Sequence, residues 1–104
     1  MMSLSNLDKK RFRTIGHDLK PIVIIAQKGL TENIRQEIDR ALESHELIKL
    51  KIQIPDRQAK QALVAEITAQ AKAEVVQQVG HVVLLYRAAK RPDPKLSNLL
   101  RKTR

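Results

Sequence analysis

Cysteine and tryptophan are absent from this sequence of 104 residues, and its aromatic side chains are one phenylalanine and one tyrosine. The absence of cysteine excludes disulfides and cysteine-ligated metal sites. No stretch approaches the length of about 20 apolar residues that a transmembrane helix needs, and residues 1–13 contain no apolar run typical of a secretory signal. Phe12 and Tyr86 alone cannot form a broad platform for stacked bases. We therefore expect a single-domain cytoplasmic protein with no membrane-spanning segment.

Negative charge is also scarce, since 20 Lys and Arg residues outnumber 11 Asp and Glu residues and leave a formal net charge of +9. Residues 87–104 carry a net charge of +6, and a second basic cluster lies near the N-terminus at Lys9, Lys10, Arg11, Arg13 and Lys20. Such an excess in a small domain indicates a polyanionic partner: RNA, DNA or an anionic membrane surface. The two clusters together favour a nucleic acid, and we expect no membrane partner.

Residues 19–38, LKPIVIIAQKGLTENIRQEI, predict a strand, a short loop and a helix. Gly29 can adopt a positive φ, and Thr31 suits the N-cap of the following helix. Lys28 and Gly29 then lie at the tip of a loop that leads into a helix N-terminus. Backbone N–H groups, the helix dipole and one cation converge on a phosphate in such a place. The same spacing also fits an ordinary strand-to-helix turn.

The remaining periodicity predicts two more helices and three more strands. In the strand predicted for residues 47–54, strict alternation places Lys49 and Lys51 on the face opposite the apolar side chains, which indicates a face that is wet or turned to a partner. The strand predicted for residues 82–86 is apolar throughout and should be interior. The order α-β-α-β-α-β-β predicts a single α/β domain with a four-stranded mixed sheet and helices packed on it. The predicted helices cover residues 5–19, 32–44 and 57–72, and the predicted strands cover 22–25, 47–54, 74–79 and 82–86.

The C-terminal residues differ in composition from the rest. Residues 88–104 are basic and polar and contain Pro92 and Pro94. We expect the domain to span residues 1–87 and this segment to be a flexible tail, with one short helical turn at residues 96–100.

No pattern in the sequence indicates catalysis. The acids do not pair with a histidine at a recognisable spacing, and no cluster has metal-ligand spacing. We expect no enzyme, no cofactor and no metal. A monomeric RNA-binding module and a general DNA-binding protein of the nucleoid type both fit the charge, although no recognition helix or dimer motif supports DNA binding.

A series of short segments occurs in a characteristic order over residues 7–87: HDLKPIV (17–23), GLTE (29–32), ALE (41–43), HELIKLKI (45–52), VGH (79–81) and LLYR (84–87). In this order they resemble the CRM domain family (chloroplast RNA splicing and ribosome maturation), in its stand-alone bacterial YhbY-type form. The resemblance implies a fold akin to the C-terminal domain of translation initiation factor 3. It also implies RNA binding and association with precursors of the large ribosomal subunit.

The sequence departs from this family at one loop. The family pattern GxxG, comparable in role to the backbone-clamping loop of KH domains, is replaced by AQKG with Ala26 at the first glycine. Alanine disfavours a positive φ and the closest approach of another backbone. The resemblance carries RNA contact onto Gln27, Lys28 and Gly29, and also onto Ala26. The charge adds further candidates for RNA contact: Lys9, Lys10, Arg13, Lys20, Lys49 and Lys51.

Overall fold

The computed structural model of the protein describes residues 4–93 and 95–99. Its elements follow the predicted order and confirm the predicted α/β architecture. They are α1 (Asn6–His17), β1 (Val23–Ile25), α2 (Glu32–His45), β2 (Leu47–Ile52), α3 (Arg57–Ala71), β3 (Glu74–Val79) and β4 (Val82–Tyr86).

Each helix begins where a short polar side chain can accept a hydrogen bond from the exposed end of the backbone. Ser5, Thr31 and Asp56 cap α1, α2 and α3, and each accepts from the amide three residues later at 3.0–3.2 Å. These bonds satisfy amides that have no partner inside a helix. The starts of the helices are therefore local properties of the sequence.

The four strands form one sheet in the order β1-β2-β4-β3. β1 pairs with β2 in parallel, and the pairs of β4 with β2 and with β3 are antiparallel. β4 is thus interior, as its uninterrupted apolar sequence predicts. β2 ends at Ile52 rather than at the predicted residue 54, because its pairing with β1 extends only to Ile52 and its pairing with β4 only to Lys51.

Helices cover the two faces of the sheet unequally. On one face, α2 and α3 pack over the apolar residues of β1, β2 and β4, and these side chains form the larger core. On the other face, α1 packs at one end only, where Phe12 contacts a small cluster of Leu47, Val76 and Leu84. The other end of that face is open.

α1 approaches the sheet closely at Gly16. A Cβ atom built on Gly16 would lie 2.5 Å from Cδ2 of Leu84. A glycine here therefore lets the helix backbone rest on β4. This contact sets the position of α1 and, with it, the boundary between the covered and the open parts of the face.

Residues 95–99, which we call the strap, lie within the segment expected to be a flexible tail, and they pack against the domain. The Ser97 side chain is fully buried, and its Oγ donates a hydrogen bond to Glu46 at 2.7 Å. Asn98 donates from its backbone to His45 O and from its side chain to Leu47 O. These hydrogen bonds hold the strap against the start of β2. The helical turn predicted at residues 96–100 includes residue 100, which lies outside the described residues. Within them, Ser97 N donates to Asp93 O.

Glu46 organises this C-terminal contact from an uncommon backbone conformation. It joins α2 to β2 with φ 63° and ψ −45°, and its side chain is buried. Its two carboxylate oxygens accept from Ser97 Oγ and, at 2.8 Å, from Ala89 N. A non-glycine residue at positive φ costs about 1–3 kcal/mol, which the surrounding contacts must offset.

Candidate nucleic-acid interface

A groove of about 790 Å³ lies between α1 and the open half of the sheet. The helix forms its wall and the strands form its floor. The wall is basic, whereas the floor is largely apolar with one lysine. The wall residues are Lys10, Arg13, Thr14, His17 and Asp18 with Gly16, and the floor residues are Lys49, Gln77, Val79, Val82 and Leu84.

The helical repeat explains the wall. Residues three and four apart share a face of a helix, so Lys10, Arg13, Thr14 and His17 line the groove together. Phe12 lies on a different face of the same helix and packs into the small core. The charge of the sequence does not identify His17 as a contact residue. Its position seven residues after Lys10, about two helical turns along the same face, is the signal that would have identified it.

The strand repeat explains the floor. Lys49 pairs with Leu84, and Lys51 pairs with Val82 and Ile24, so both lysines project from the open face. This confirms the alternation predicted for β2. Both lysines are half-buried, as is common for long side chains whose stems cover apolar surface while their charged ends reach solvent.

The loop between β1 and α2 has the turn that its sequence predicts. Gly29 has φ +72°, and its amide donates to Ala26 O at 2.9 Å. Ala26, Gln27 and Lys28 are exposed, and Thr31 caps the helix that follows. Positive φ is needed at Gly29 and not at Ala26, so the alanine fits this turn without strain.

An acid also lies beside this loop, at the first position of α2. The hydrogen bond from Arg35 holds the pKa of the Glu32 carboxyl below its usual value, so Glu32 stays ionised. Its charge is matched by that of Arg35 in an exposed ion pair. Because Glu32 is already paired with Arg35, the charge of Lys28 at the loop tip is not offset by this acid.

The groove and the loop are connected through β1 and β2. The two strands are parallel, so their carboxyl ends lie at one edge of the sheet. Ile24 is on the open face beside Lys51, and the loop begins two residues further on. The open face thus leads from the groove, past Lys51, to the edge that carries Lys28.

The structure brings some of the predicted site residues together and separates others. Lys10, Arg13 and Lys49 line the groove, with Lys51 on the same face. Lys20 lines a neighbouring depression that shares Lys49. Lys9 is half-buried on α1 and lines neither. Residues 26–29 form the separate loop at the sheet edge.

Most cations of this surface have no acidic partner. Among residues 4–93 and 95–99, the side chains that form ion pairs with acids are His17, Arg35 and Arg87. None of the predicted RNA-contacting lysines, nor Arg13, forms one in that part of the chain. Their charge is available to an external anion.

Arg87 has a different role from the other basic residues near the C-terminus. Its guanidinium contacts Asp39 and Glu43 of α2 and donates to the backbone oxygens of Ala71 and Asp39. It ties the end of β4 to α2 and to the end of α3. Its charge is already used within the fold.

Neither a membrane-spanning helix nor a metal-binding cluster occurs in the described part of the chain. No helix there is both long and apolar enough to cross a membrane. In the same residues, no three or more histidine, aspartate or glutamate side chains come together in a way that would hold a metal ion.

Comparison with known proteins gives a consistent set of relatives. The sequence profile of the CRS1/YhbY (CRM) domain matches residues 4–87. The chain is similar to "Probable RNA-binding protein PA4753" of Pseudomonas aeruginosa, with 44% identity over 100 residues and 96% of each chain covered. It is also similar to an RNA-binding protein of Haemophilus influenzae, with 41% identity over 87 residues, 84% of this chain and 88% of the relative.

The fold also matches a solved structure. The solution structure of the hypothetical protein SAV1595 from Staphylococcus aureus, described as a putative RNA binding protein, superposes with a TM-score of 0.74 at 30% sequence identity. The match covers 86% of this chain and 93% of that protein.

Proposed function

Because the chain belongs to the CRS1/YhbY (CRM) domain family, we propose that it is an RNA-binding protein that acts in assembly of the large ribosomal subunit. The observation that carries RNA binding is the set of cations in the groove and at the edge loop, which have no acidic partners in the described residues except at His17. The names of the relatives support RNA as the polyanion. The ribosomal role is supported by the resemblance of the whole domain to stand-alone bacterial members.

The proposed mechanism is capture of the RNA backbone. Lys28 supplies a cation at the loop tip, and the N-terminus of α2 supplies amide donors and the positive end of a dipole. Lys10, Arg13, Lys49 and Lys51 extend the contact across the open face. Binding through phosphates fixes the position of the RNA and carries little sequence information.

The aromatic residues support backbone contact over base stacking on rings. The rings of Phe12 and Tyr86 pack on each other with centroids 4.9 Å apart. Phe12 is buried and Tyr86 is half-buried. Their mutual packing and burial disfavour a role of these rings as a platform for splayed bases.

Crosslinking in cells, followed by sequencing of the bound RNA, tests the function. We expect precursor large-subunit RNA to be recovered. Recovery of mainly messenger RNA would contradict the ribosomal role. In vitro, structured RNA should compete for binding more strongly than duplex DNA at the same salt concentration, and the reverse order would favour a nucleoid-type protein.

Charge reversal tests the edge loop. Lys28→Glu should weaken RNA binding about tenfold or more, since a charge-assisted contact contributes about 1.5–3 kcal/mol. Lys72→Glu is the matched control, because Lys72 is exposed beyond the end of α3 and the substitution changes net charge by the same amount. Its effect should be smaller, as salt screens over about 8 Å.

The salt dependence of binding gives a second readout. If about four to six phosphates are contacted, each should contribute about 0.7–0.9 to the slope of log affinity against log salt concentration. Lys28→Glu should reduce the magnitude of that slope by the contribution of about one phosphate. Equal losses of affinity for the Lys28 and Lys72 variants would show that the loop is no dedicated phosphate site.

A further inference from the structure

An exposed apolar row crosses the open face of the sheet. Ile24, Lys51, Val82 and Val79 are neighbours on successive strands. Ile24 is 54% exposed and Val79 is 64% exposed, while Val82 is half-buried. We call the three apolar side chains the aliphatic strip. Large apolar side chains grouped on a surface mark a place where something else binds.

The strip lies beside the basic wall. Val79 and Val82 belong to the floor of the groove whose wall carries Lys10 and Arg13. Lys51 separates Ile24 from Val82 within the row. A partner that covers the strip therefore also meets several cations, so its chemistry must combine negative charge with apolar surface.

We propose that the open half of the sheet binds a single-stranded segment of RNA, an inference that rests on the proposed RNA-binding function. The phosphates contact Lys10, Arg13, Lys49 and Lys51, and riboses and base faces cover the aliphatic strip. Single-strand binding sites combine a positively charged groove with a surface on which bases pack. That surface is usually aromatic, and in this protein the aliphatic strip takes its place.

Double-stranded RNA does not fit this combination. In a duplex the base faces are stacked inside the helix, so a protein meets phosphates, 2′-hydroxyls and base edges. Such a ligand would use the cations and leave the aliphatic strip in water. A single strand can turn its base faces and riboses onto the strip while its phosphates follow the basic wall.

The dimensions of the face set the length of the segment. Four strands at a spacing of about 4.8 Å span about 14 Å from Ile24 to Val79. Bases that lie face-down on the strip are not stacked on one another, so a span of this size accommodates only a few nucleotides. Apolar contact with a base face does not depend on which base is present, and we expect little sequence preference.

Removal of apolar surface at constant charge tests the proposal. The double variant Ile24→Ser, Val79→Ser should lower affinity for a single-stranded RNA of about 10 nucleotides about tenfold, with the salt slope unchanged. Its affinity for a blunt RNA duplex should change less than about twofold, because a duplex does not cover the strip. Leu7→Ser is the matched control, because Leu7 is 77% exposed on α1 and does not line the groove.

Thermal unfolding of each variant checks that the sheet is intact. If serine at these strand positions unfolds the protein, Ile24→Thr with Val79→Thr keeps the β-branched shape and adds polarity, and the same pattern is expected. Unchanged affinity for the single strand would overturn the proposal, and so would an equal loss for the duplex. Failure of every RNA to bind the parent protein would instead refute the proposed function.

Discussion

The hydrogen bond between Ser97 and Glu46 offers a direct measure of how strongly the strap is held. Ser97→Ala removes the hydroxyl that donates to Glu46 Oε1 at 2.7 Å, where the two residues are 0% and 5% exposed. Hydrogen bonds to a charged group contribute about 1.5–3 kcal/mol. We therefore expect the free energy of unfolding to fall by about 2 kcal/mol.

The loss has an upper limit that the structure also defines. If the strap detaches, water reaches the Glu46 carboxylate and restores its hydration. The cost of Ser97→Ala therefore cannot exceed the free energy with which the strap docks. Truncation after Arg91 should destabilise the protein at least as much as Ser97→Ala, because it removes the whole strap.

Urea unfolding followed by far-UV circular dichroism measures the loss of unfolding free energy, and a thermal scan should show a fall in melting temperature of about 8–16 °C. Hydrogen exchange at the Asn98 amide, which donates to His45 O, reports local detachment. Ser44→Ala is the control, since Ser44 is half-buried in the last turn of α2 and no hydrogen bond of its side chain occurs in the described residues. A change at Ser97 no larger than the change at Ser44 would refute the reasoning.

Two further predictions concern Gly16 of α1 and the ring of Tyr86, on which Phe12 of α1 packs. Gly16→Ala should destabilise the protein by about 1 kcal/mol in urea unfolding, because the new Cβ would meet buried Leu84 and this overlap outweighs the gain in helix propensity; equal or higher stability would contradict the contact. Burial, and then the charge of Glu46, raise the pKa of Tyr86 above its ordinary value near 10. The folded state thus holds this proton more tightly than the unfolded state, so the contribution of Tyr86 to stability should be constant below about pH 10 and fall as the pH rises above it. Titration of phenolate absorbance should give a midpoint above about 10, and a midpoint at or below that value would be inconsistent with this environment.

Much of the fold follows from local signals. The caps at Ser5, Thr31 and Asp56 set the helix starts because a side chain and an amide three residues apart interact whatever the rest of the chain does. Strict alternation in β2 puts Lys49 and Lys51 on one face, and the apolar run of β4 indicates an interior strand. The proximity of residues 26–29 to a helix N-terminus is likewise visible in the sequence, since these residues and the helix are neighbours along the chain.

The shape of the candidate site is not visible in the sequence. Charge alone groups Lys9 with Lys10 and Arg13, but only Lys10 and Arg13 line the groove, because the position of α1 on the sheet depends on the contact of Gly16 with Leu84. The aliphatic strip has the same origin. Ile24 and Val79 come from opposite edges of the sheet and join one row only after four strands have paired.

Composition determined that this chain is a small basic domain, and periodicity determined most of its helices and strands, because periodicity depends on side chains within a few residues of each other. The tertiary structure alone decided that Arg87 is held by α2 and that Ser97 is buried against Glu46. These partners lie 48 and 51 residues apart in sequence. A polar residue in a polar segment has no pattern that marks it for burial, since its partner is supplied by a distant part of the chain that only folding brings within hydrogen-bond distance.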